Sequence, residues 1–144
     1  MVRRATIEDS HILAELAIQL WDDNTLDALN AEFSESINSN QAVFFIKYED
    51  NIPVGFAQCS LRTDYVEGTE TSPVGYLEGI FVKSAHRNKG YAKELVCACE
   101  SWSKALGCRE FASDCEINNA ESLKFHLSIG FKEANRIICF KKNL

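Results

Sequence analysis

The sequence lacks any apolar stretch that approaches the roughly 20 residues needed to cross a membrane. Its first residues, Met1 to Glu8, form a charged, strand-like stretch in place of the apolar core of a signal peptide. These two absences lead us to expect a cytoplasmic protein that has no membrane partner.

Paired cysteines are also missing. No Cys-x-x-Cys spacing occurs among the six cysteines, which are Cys59, Cys97, Cys99, Cys108, Cys115 and Cys139. Metal sites built on cysteine usually show such paired spacing, so we expect no bound metal. In a cytosol the thiols would stay reduced, and we interpret them as buried structural residues.

Positive charge is scarce and unevenly distributed. The net charge of −6 argues against a nucleic-acid partner, because nucleic-acid binders carry a basic surface for phosphates. Basic residues are absent between Arg4 and Lys47 and again between Arg62 and Lys83, whereas eleven of the fifteen lie from Lys83 onward. This asymmetry indicates two ligands of opposite charge, although an acidic face that only improves solubility explains it equally well.

Hydrophobic periodicity and turn residues predict one α/β domain that covers residues 1–144 around a single sheet. Strands are predicted at Val2–Ala5, Ala42–Tyr48, Val54–Leu61, Gly75–Val82 and Arg109–Ser113, with one or two more in Phe131–Lys142. Helices are predicted after Thr6 up to Trp21, around Leu26–Ile37, and at Gly90–Leu106 and Ala120–Ile129.

The basic loop between the fourth strand and the third helix has the pattern Arg87-x-x-Gly90-x-Ala92. A helix start offers unpaired N–H groups and the positive end of a dipole. Small residues at Gly90 and Ala92 let the backbone approach an anion, so a pyrophosphate is the predicted guest. The loop lacks the Gly-Lys-Ser/Thr of a Walker A motif and the repeated glycines of a dinucleotide fold.

This pattern, after the strand Leu77 to Val82, resembles the acyl-CoA motif of the GNAT acetyltransferase superfamily. The segment from Asn119 to His126, followed by Gly130-Phe131, resembles the second motif of that family. The resemblance implies a mixed sheet, splayed between its fourth and fifth strands and flanked by about four helices. It also implies acetyl-CoA as co-substrate, held by Ile80, Phe81, Val82, Arg87, Asn88, Lys89, Gly90, Tyr91, Ala92, Lys93 and Asn119.

A closer likeness concerns the acyl acceptor. Trp21, the Asp64-Tyr65-Val66 loop, Ser72-Pro73, Glu78 and the Ala112-Ser113-Asp114 stretch look like aminoglycoside 6′-N-acetyltransferases. Such enzymes confer antibiotic resistance. The resemblance places Trp21, Tyr65, Glu78 and Asp114 in the drug site, and the acidic charge of the chain suits a polycationic substrate. Asn24 and Asn135 occupy substrate-contact positions where relatives can carry a histidine and an acid.

We expect direct transfer in a ternary complex. Glu78 is the candidate general base, working through a water or directly, and Asp114 would hold the substrate ammonium and share the role of base. His126 takes the place of the tyrosine that often protonates the leaving thiolate in this superfamily. An attacking Cys115 is disfavoured because no histidine partner is evident.

Three alternatives remain open at this stage. They are acetylation of a polyamine such as spermidine, acetylation of a protein amine, and binding of acyl-CoA without catalysis. The resemblance also implies a homodimer, in which the strand predicted at Arg136 to Phe140 could be exchanged between protomers.

Overall fold

The computed structural model describes all residues, 1–144, and contains one five-stranded sheet with the strand order β1-β2-β3-β4-β5. The strands are β1 (Val2–Arg4), β2 (Ala42–Glu49), β3 (Ile52–Arg62), β4 (Val74–Val82) and β5 (Phe111–Ala112). The first four pair antiparallel, and β5 pairs parallel with β4. The predicted mixed α/β sheet is therefore confirmed.

Four α-helices cover the two faces of the sheet: α1 (Ser10–Ala17), α2 (Leu26–Asn38), α3 (Tyr91–Ala105) and α4 (Ala120–Ser128). Side chains alternate between the faces along β2, so Phe44 and Ile46 pack with α1 and α2. Val43 points the other way and packs with Leu95 and Val96 of α3. None of the helices is both long enough and apolar enough to span a bilayer.

Strand β4 is interrupted and then left open, and both features position the site. In its pairing with β3, Gln58 faces Gly79 while the next residue, Cys59, faces Leu77. Glu78 is therefore the extra residue of a β-bulge, a device that redirects a side chain. On its other edge β4 pairs with β5 only at Gly75 and Tyr76, after which the two strands diverge. This divergence is the splay that the resemblance implied.

The final strands predicted within Phe131–Lys142 are wrong for the single chain. Residues 131–144 form no strand, and the exposed fractions of Ile137, Ile138 and Phe140 reach 60%, 80% and 90%. The apolar run that favours a strand here has no neighbouring strand to pair with, and a lone strand cannot satisfy its backbone. The fifth strand is also shorter than the predicted Arg109–Ser113.

The cysteine prediction holds for half of the thiols. All six are free, and Cys59, Cys99 and Cys108 are buried. Cys97, Cys115 and Cys139 are exposed, so interpreting them as buried structural residues was wrong. Because successive helical residues point in different directions, Cys97 faces solvent while Cys99 of the same helix faces the core.

The entry into α1 is fixed by one buried carboxylate. Thr6 and Asp9 form a capping box, in which the Thr6 backbone N–H donates to Asp9 Oδ2 over 2.7 Å. Arg3 of β1 adds two hydrogen bonds of 2.9 and 2.8 Å to the same carboxylate. These contacts, with Arg3 first, lower the pKa of Asp9 to about 2.

We expect the Asp9→Asn variant to unfold at pH 7 with a free energy lower by about 2 kcal/mol, because the charge-assisted bonds to Arg3 are lost. Since the pKa is lowered on folding, the stabilisation is present above about pH 4 and is lost as the pH falls toward 2. Urea unfolding of both proteins along this pH range measures the difference. The exposed neighbour provides the control Glu8→Gln, and an equal loss in both variants would contradict the account.

Candidate functional site

The loop before α3 presents a row of free amides. None of the six backbone N–H groups from Asn88 to Lys93 donates a hydrogen bond within the protein. Gly90 caps the helix with a left-handed φ of 82°, and a side chain there would project into open space. Glycine is favoured here for its backbone conformation rather than for lack of room. Six adjacent donors at a helix N-terminus form an anion site.

Arg87 fastens the start of this loop to the open edge of β4. Its Nε donates to the carbonyl oxygen of Val82 over 2.9 Å, and its guanidinium lies 4.0 Å from the carboxylate of Glu121 on α4. Asn119, predicted to contact the cofactor, caps α4 by accepting a hydrogen bond from the Ser122 N–H over 3.0 Å. Its side-chain oxygen is thus engaged within the protein.

The open edge of β4 carries the backbone groups predicted to meet the pantetheine arm. The backbone N–H of Lys83 donates to the carbonyl oxygen of Val54 on β3 over 2.8 Å. Because pairs in an antiparallel ladder alternate, Phe81 also turns its backbone toward β3, while Ile80 and Val82 turn theirs toward the splay. Of the three predicted contacts, the backbones of Ile80 and Val82 face the gap.

Trp21, Asn24 and Glu78 line one cleft of about 300 Å³, together with Glu32 and Gln58. The Trp21 ring packs edge-on against Phe56, with centroids 5.9 Å apart. The same ring lies against Gly79, where an added Cβ would come within 2.6 Å of it. Only glycine therefore allows the tryptophan to lie directly beside the bulge that carries Glu78.

Glu78 is held by two residues of β3 that the sequence analysis did not single out. Arg62 donates to it through Nε over 3.0 Å and through Nη2 over 2.8 Å, and the Ser60 hydroxyl donates to Oε1. The contact with Glu78 raises the pKa of Arg62. The half-buried carboxylate is thus paired, which removes the cost of burying it alone.

Asp114 is linked to Glu78 through an aromatic ring. The Tyr76 hydroxyl donates to Asp114, and the guanidinium carbon of Arg62 lies 3.4 Å from the centre of the Tyr76 ring. Burial, followed by the bond to Asp114, raises the pKa of Tyr76. Both candidate catalytic carboxylates therefore belong to one continuous network.

The other two predicted substrate residues do not line the cleft that contains Trp21 and Glu78. Tyr65 is 78% exposed and lines a second cleft of about 310 Å³, which it shares with Arg62 and Asp64. Asn135 donates to Glu67 of the same loop and does not line either cleft.

His126 lies on α4 beside the start of the splay, bonded at both ring nitrogens. Its Nδ1 is 2.7 Å from the carbonyl oxygen of Ser122, which can only accept, so this nitrogen carries the proton. Its Nε2 is 2.8 Å from the Ser113 hydroxyl, which also lies 3.4 Å from the carbonyl of Leu77 on β4. The imidazole thus bridges α4 and the start of the gap between β4 and β5.

The sequence analysis did not identify Arg62, Ser60 and Tyr76, because their contacts depend on how neighbouring strands pair. The signal for Arg62 was nevertheless present, since a carboxylate in an otherwise apolar strand requires a partner. A cation on the neighbouring strand was the simplest source of that partner. The bulge at Glu78 leaves no trace in the hydrophobic pattern.

Comparison with known proteins gives a consistent assignment. Residues 10–131 match the acetyltransferase (GNAT) family. An aminoglycoside N(6')-acetyltransferase type 1 of Salmonella typhimurium is 42% identical over 124 residues, which make up 86% of each chain. The protein of the same name from Stenotrophomonas maltophilia is 38% identical over 144 residues, or 99% of this chain and 93% of its own length.

Solved structures agree with this result over the whole fold. The structure of AAC(6')-Iy with the bisubstrate analogue CoA-S-monomethyl-acetylneamine has a TM-score of 0.96 at 38% identity, covering 100% of this chain and 98% of its own. The aminoglycoside 6'-N-acetyltransferase of Acinetobacter baumannii has a TM-score of 0.95 at 34% identity, with the same coverage. The chain therefore belongs to the acetyltransferase (GNAT) family, in the group that includes the type 1 aminoglycoside N(6')-acetyltransferases.

Proposed function

We propose that the protein transfers an acetyl group from acetyl-CoA to the 6′-amine of aminoglycosides and thereby confers antibiotic resistance. The observation that carries the proposal is the juxtaposition of two oppositely charged sites along β4. The free amides of the loop and the open edge suit a diphosphate and its pantetheine arm. The cleft with Glu32 and Glu78 suits a polycation.

The donor site fits acetyl-CoA on the chemistry of its groups. Asn88 to Lys93 would hold the diphosphate through their N–H groups, with Arg87 and Asn119 on either side of the entrance. Ile80 and Val82 would hydrogen-bond the pantetheine arm along the open strand edge, while the backbone of Phe81 between them pairs toward β3. Acetyl-CoA, when bound, supplies an acetyl group activated as a thioester.

Glu78 is suited to receive the proton of the attacking amine. Its Oε1 already accepts bonds from Ser60 and Arg62, whereas Oε2 accepts only one. Because a carboxylate oxygen has two lone pairs, Oε2 keeps one for an ammonium or a bridging water. Asp114 would pair with a second ammonium group, while Trp21, Asn24, Tyr65 and Asn135 would contact the sugar rings.

His126 is our candidate for protonating the departing thiolate. The imidazole meets the splay through its bond to Ser113, so the relay starts from an imidazolium that carries a second proton on Nε2. That proton would pass to Ser113 Oγ while the serine hydroxyl gives its own proton to the thiolate, which leaves the neutral imidazole protonated on Nδ1. The tether also fixes the ring orientation, which favours a single direction of transfer.

An acetylation assay across acceptors tests the function. We expect thiol release from acetyl-CoA with aminoglycosides that carry a 6′-amine, and none with those that have a 6′-hydroxyl instead. Acetylation of spermidine or of a protein amine but not of any aminoglycoside would contradict the acceptor. Binding of CoA without thiol release on any amine would identify a non-catalytic module.

The same assay tests the site. Replacing Glu78 by Gln should lower kcat/KM at least about a hundredfold, the usual scale for a general base. Asp114→Asn should lower it about tenfold through the loss of one charged contact. Glu35→Gln removes an exposed acid of α2 outside the cleft and should leave kcat/KM within about twofold. Full activity in both site variants would remove the assignment.

We also propose that the protein is a cytoplasmic homodimer. Exposed apolar side chains at Ile137, Ile138 and Phe140 support pairing of this segment with a second copy. The outer edge of β5, which has no neighbouring strand, supports it as well. Light scattering should give about twice the chain mass of 16.2 kDa, whereas a monomer at micromolar concentration would contradict the proposal.

A further inference from the structure

A second cluster of charged side chains lies beside the phosphate loop, on the side away from the acidic cleft. Its centre is Glu49, the last residue of β2. A tight turn follows, in which Asp50 and Asn51 adopt positive φ angles of 49° and 64°. The Glu49 side chain is 25% exposed and points toward the segment that precedes α3.

Three side chains of that segment converge on the Glu49 carboxylate. Lys89 donates through Nζ over 2.8 Å, and the Tyr91 hydroxyl and His86 Nδ1 complete the set. The hydrogen bonds from Lys89 and then Tyr91 lower the pKa of Glu49 to about 2. The group is therefore an anion at neutral pH, and its two oxygens are shared among three donors.

One of the three donors precedes the free amides and the other two lie among them. His86 ends the short 3₁₀ turn before the loop, Lys89 lies within the loop, and Tyr91 is the first residue of α3. Lys47, two residues before Glu49 on β2, reinforces the attachment. Its Nζ donates to Glu94 over 2.6 Å and lies 4.2 Å from the centre of the Tyr91 ring.

Charge alone would make this arrangement unfavourable for the ligand. A carboxylate beside an anion site repels the incoming phosphates and occupies Lys89, a cation that would otherwise attract them. The carboxylate is explained if its contacts hold the loop in its binding conformation. That ordering must then favour ligand binding by more free energy than the repulsion costs.

We propose that Glu49 is a positioning residue of the phosphate loop, which holds His86, Lys89 and Tyr91 so that the amides from Asn88 to Lys93 stay directed at the diphosphate. The inference rests on the proposed donor, because the loop must bind CoA for the positioning to matter. If Glu49 positions the loop, removing it should raise the Kd for CoA. If Glu49 acted only by repelling the phosphates, removing it should lower that Kd.

Calorimetric titration with CoA separates the two. Glu49→Ala should raise the Kd about tenfold, because an unanchored loop must be ordered on binding, and Glu49→Gln should raise it by about threefold, because its oxygen still accepts hydrogen bonds. Asp50→Asn provides the matched control, since it removes the same charge from the same turn but none of the contacts. Its Kd should be unchanged or slightly lower.

Steady-state kinetics supply a second readout. The Glu49 variants should raise the KM for acetyl-CoA while kcat and the KM for the acceptor stay within about twofold, since the acidic cleft is untouched. Should Glu49→Ala fail to fold, Glu49→Gln and Tyr91→Phe, which removes one donor and keeps the ring, decide the question by the same titration.

A Kd equal to or lower than that of the wild type in the folded Glu49 variants would overturn the inference, as would an equal rise in Asp50→Asn. Failure of the wild-type protein to bind CoA is a different result. It would remove the proposed function, and with it the ligand that the loop is positioned for.

Discussion

Six backbone N–H groups, from Asn88 to Lys93, have no hydrogen-bond partner inside the protein. The candidate donor site is organised around these free amides. Unpaired amides are tolerated at a surface because water can bond them, and an anion can replace that water at little cost. Gly90 supplies the left-handed turn that keeps them together, and Arg87 ties the loop to β4. In the proposed complex, a thioester anchored there would extend along the open edge of that strand.

The acidic cleft depends on the same strand for a different reason. The bulge at Glu78 redirects a carboxylate out of a buried strand, and Gly79 beside it leaves space for the Trp21 ring. Arg62 then makes the carboxylate tolerable by supplying a cation on the neighbouring strand. The result is a negative cleft whose key group is already oriented in the free protein, which reduces the ordering needed when an amine arrives.

Much of this could be predicted from the sequence because the relevant signals are local. The turn at Gly90 and the strand before it lie within a few consecutive residues and match a family motif. The start of the first helix after Thr6 is likewise visible in a few consecutive residues. The contacts of Arg62 with Glu78 and of Glu49 with Lys89 join residues 16 and 40 positions apart. The register between β3 and β4 brings the first pair together, and the packing of the loop before α3 against the end of β2 brings the second pair together. The hydrophobic pattern encodes neither, nor does it encode a one-residue bulge.

The C-terminal segment shows the opposite limit. Its apolar run from Ile137 to Phe140 favours a strand, yet a strand exists only with a partner, and the single chain offers none to residues 131–144. The local sequence therefore indicates that Arg136 to Phe140 can form a strand, while the structure of one chain shows this segment unpaired. In the proposed dimer a second copy would supply that partner.

The central claim is that the free amides of the loop bind the diphosphate and so hold the acyl donor. Calorimetric titration of the wild-type protein with acetyl-CoA and with S-acetylpantetheine, which lacks the diphosphate, tests it most directly. The account predicts that the shorter thioester binds at least about a hundredfold more weakly, because several charge-assisted hydrogen bonds are lost. Equal affinity for the two thioesters would contradict it.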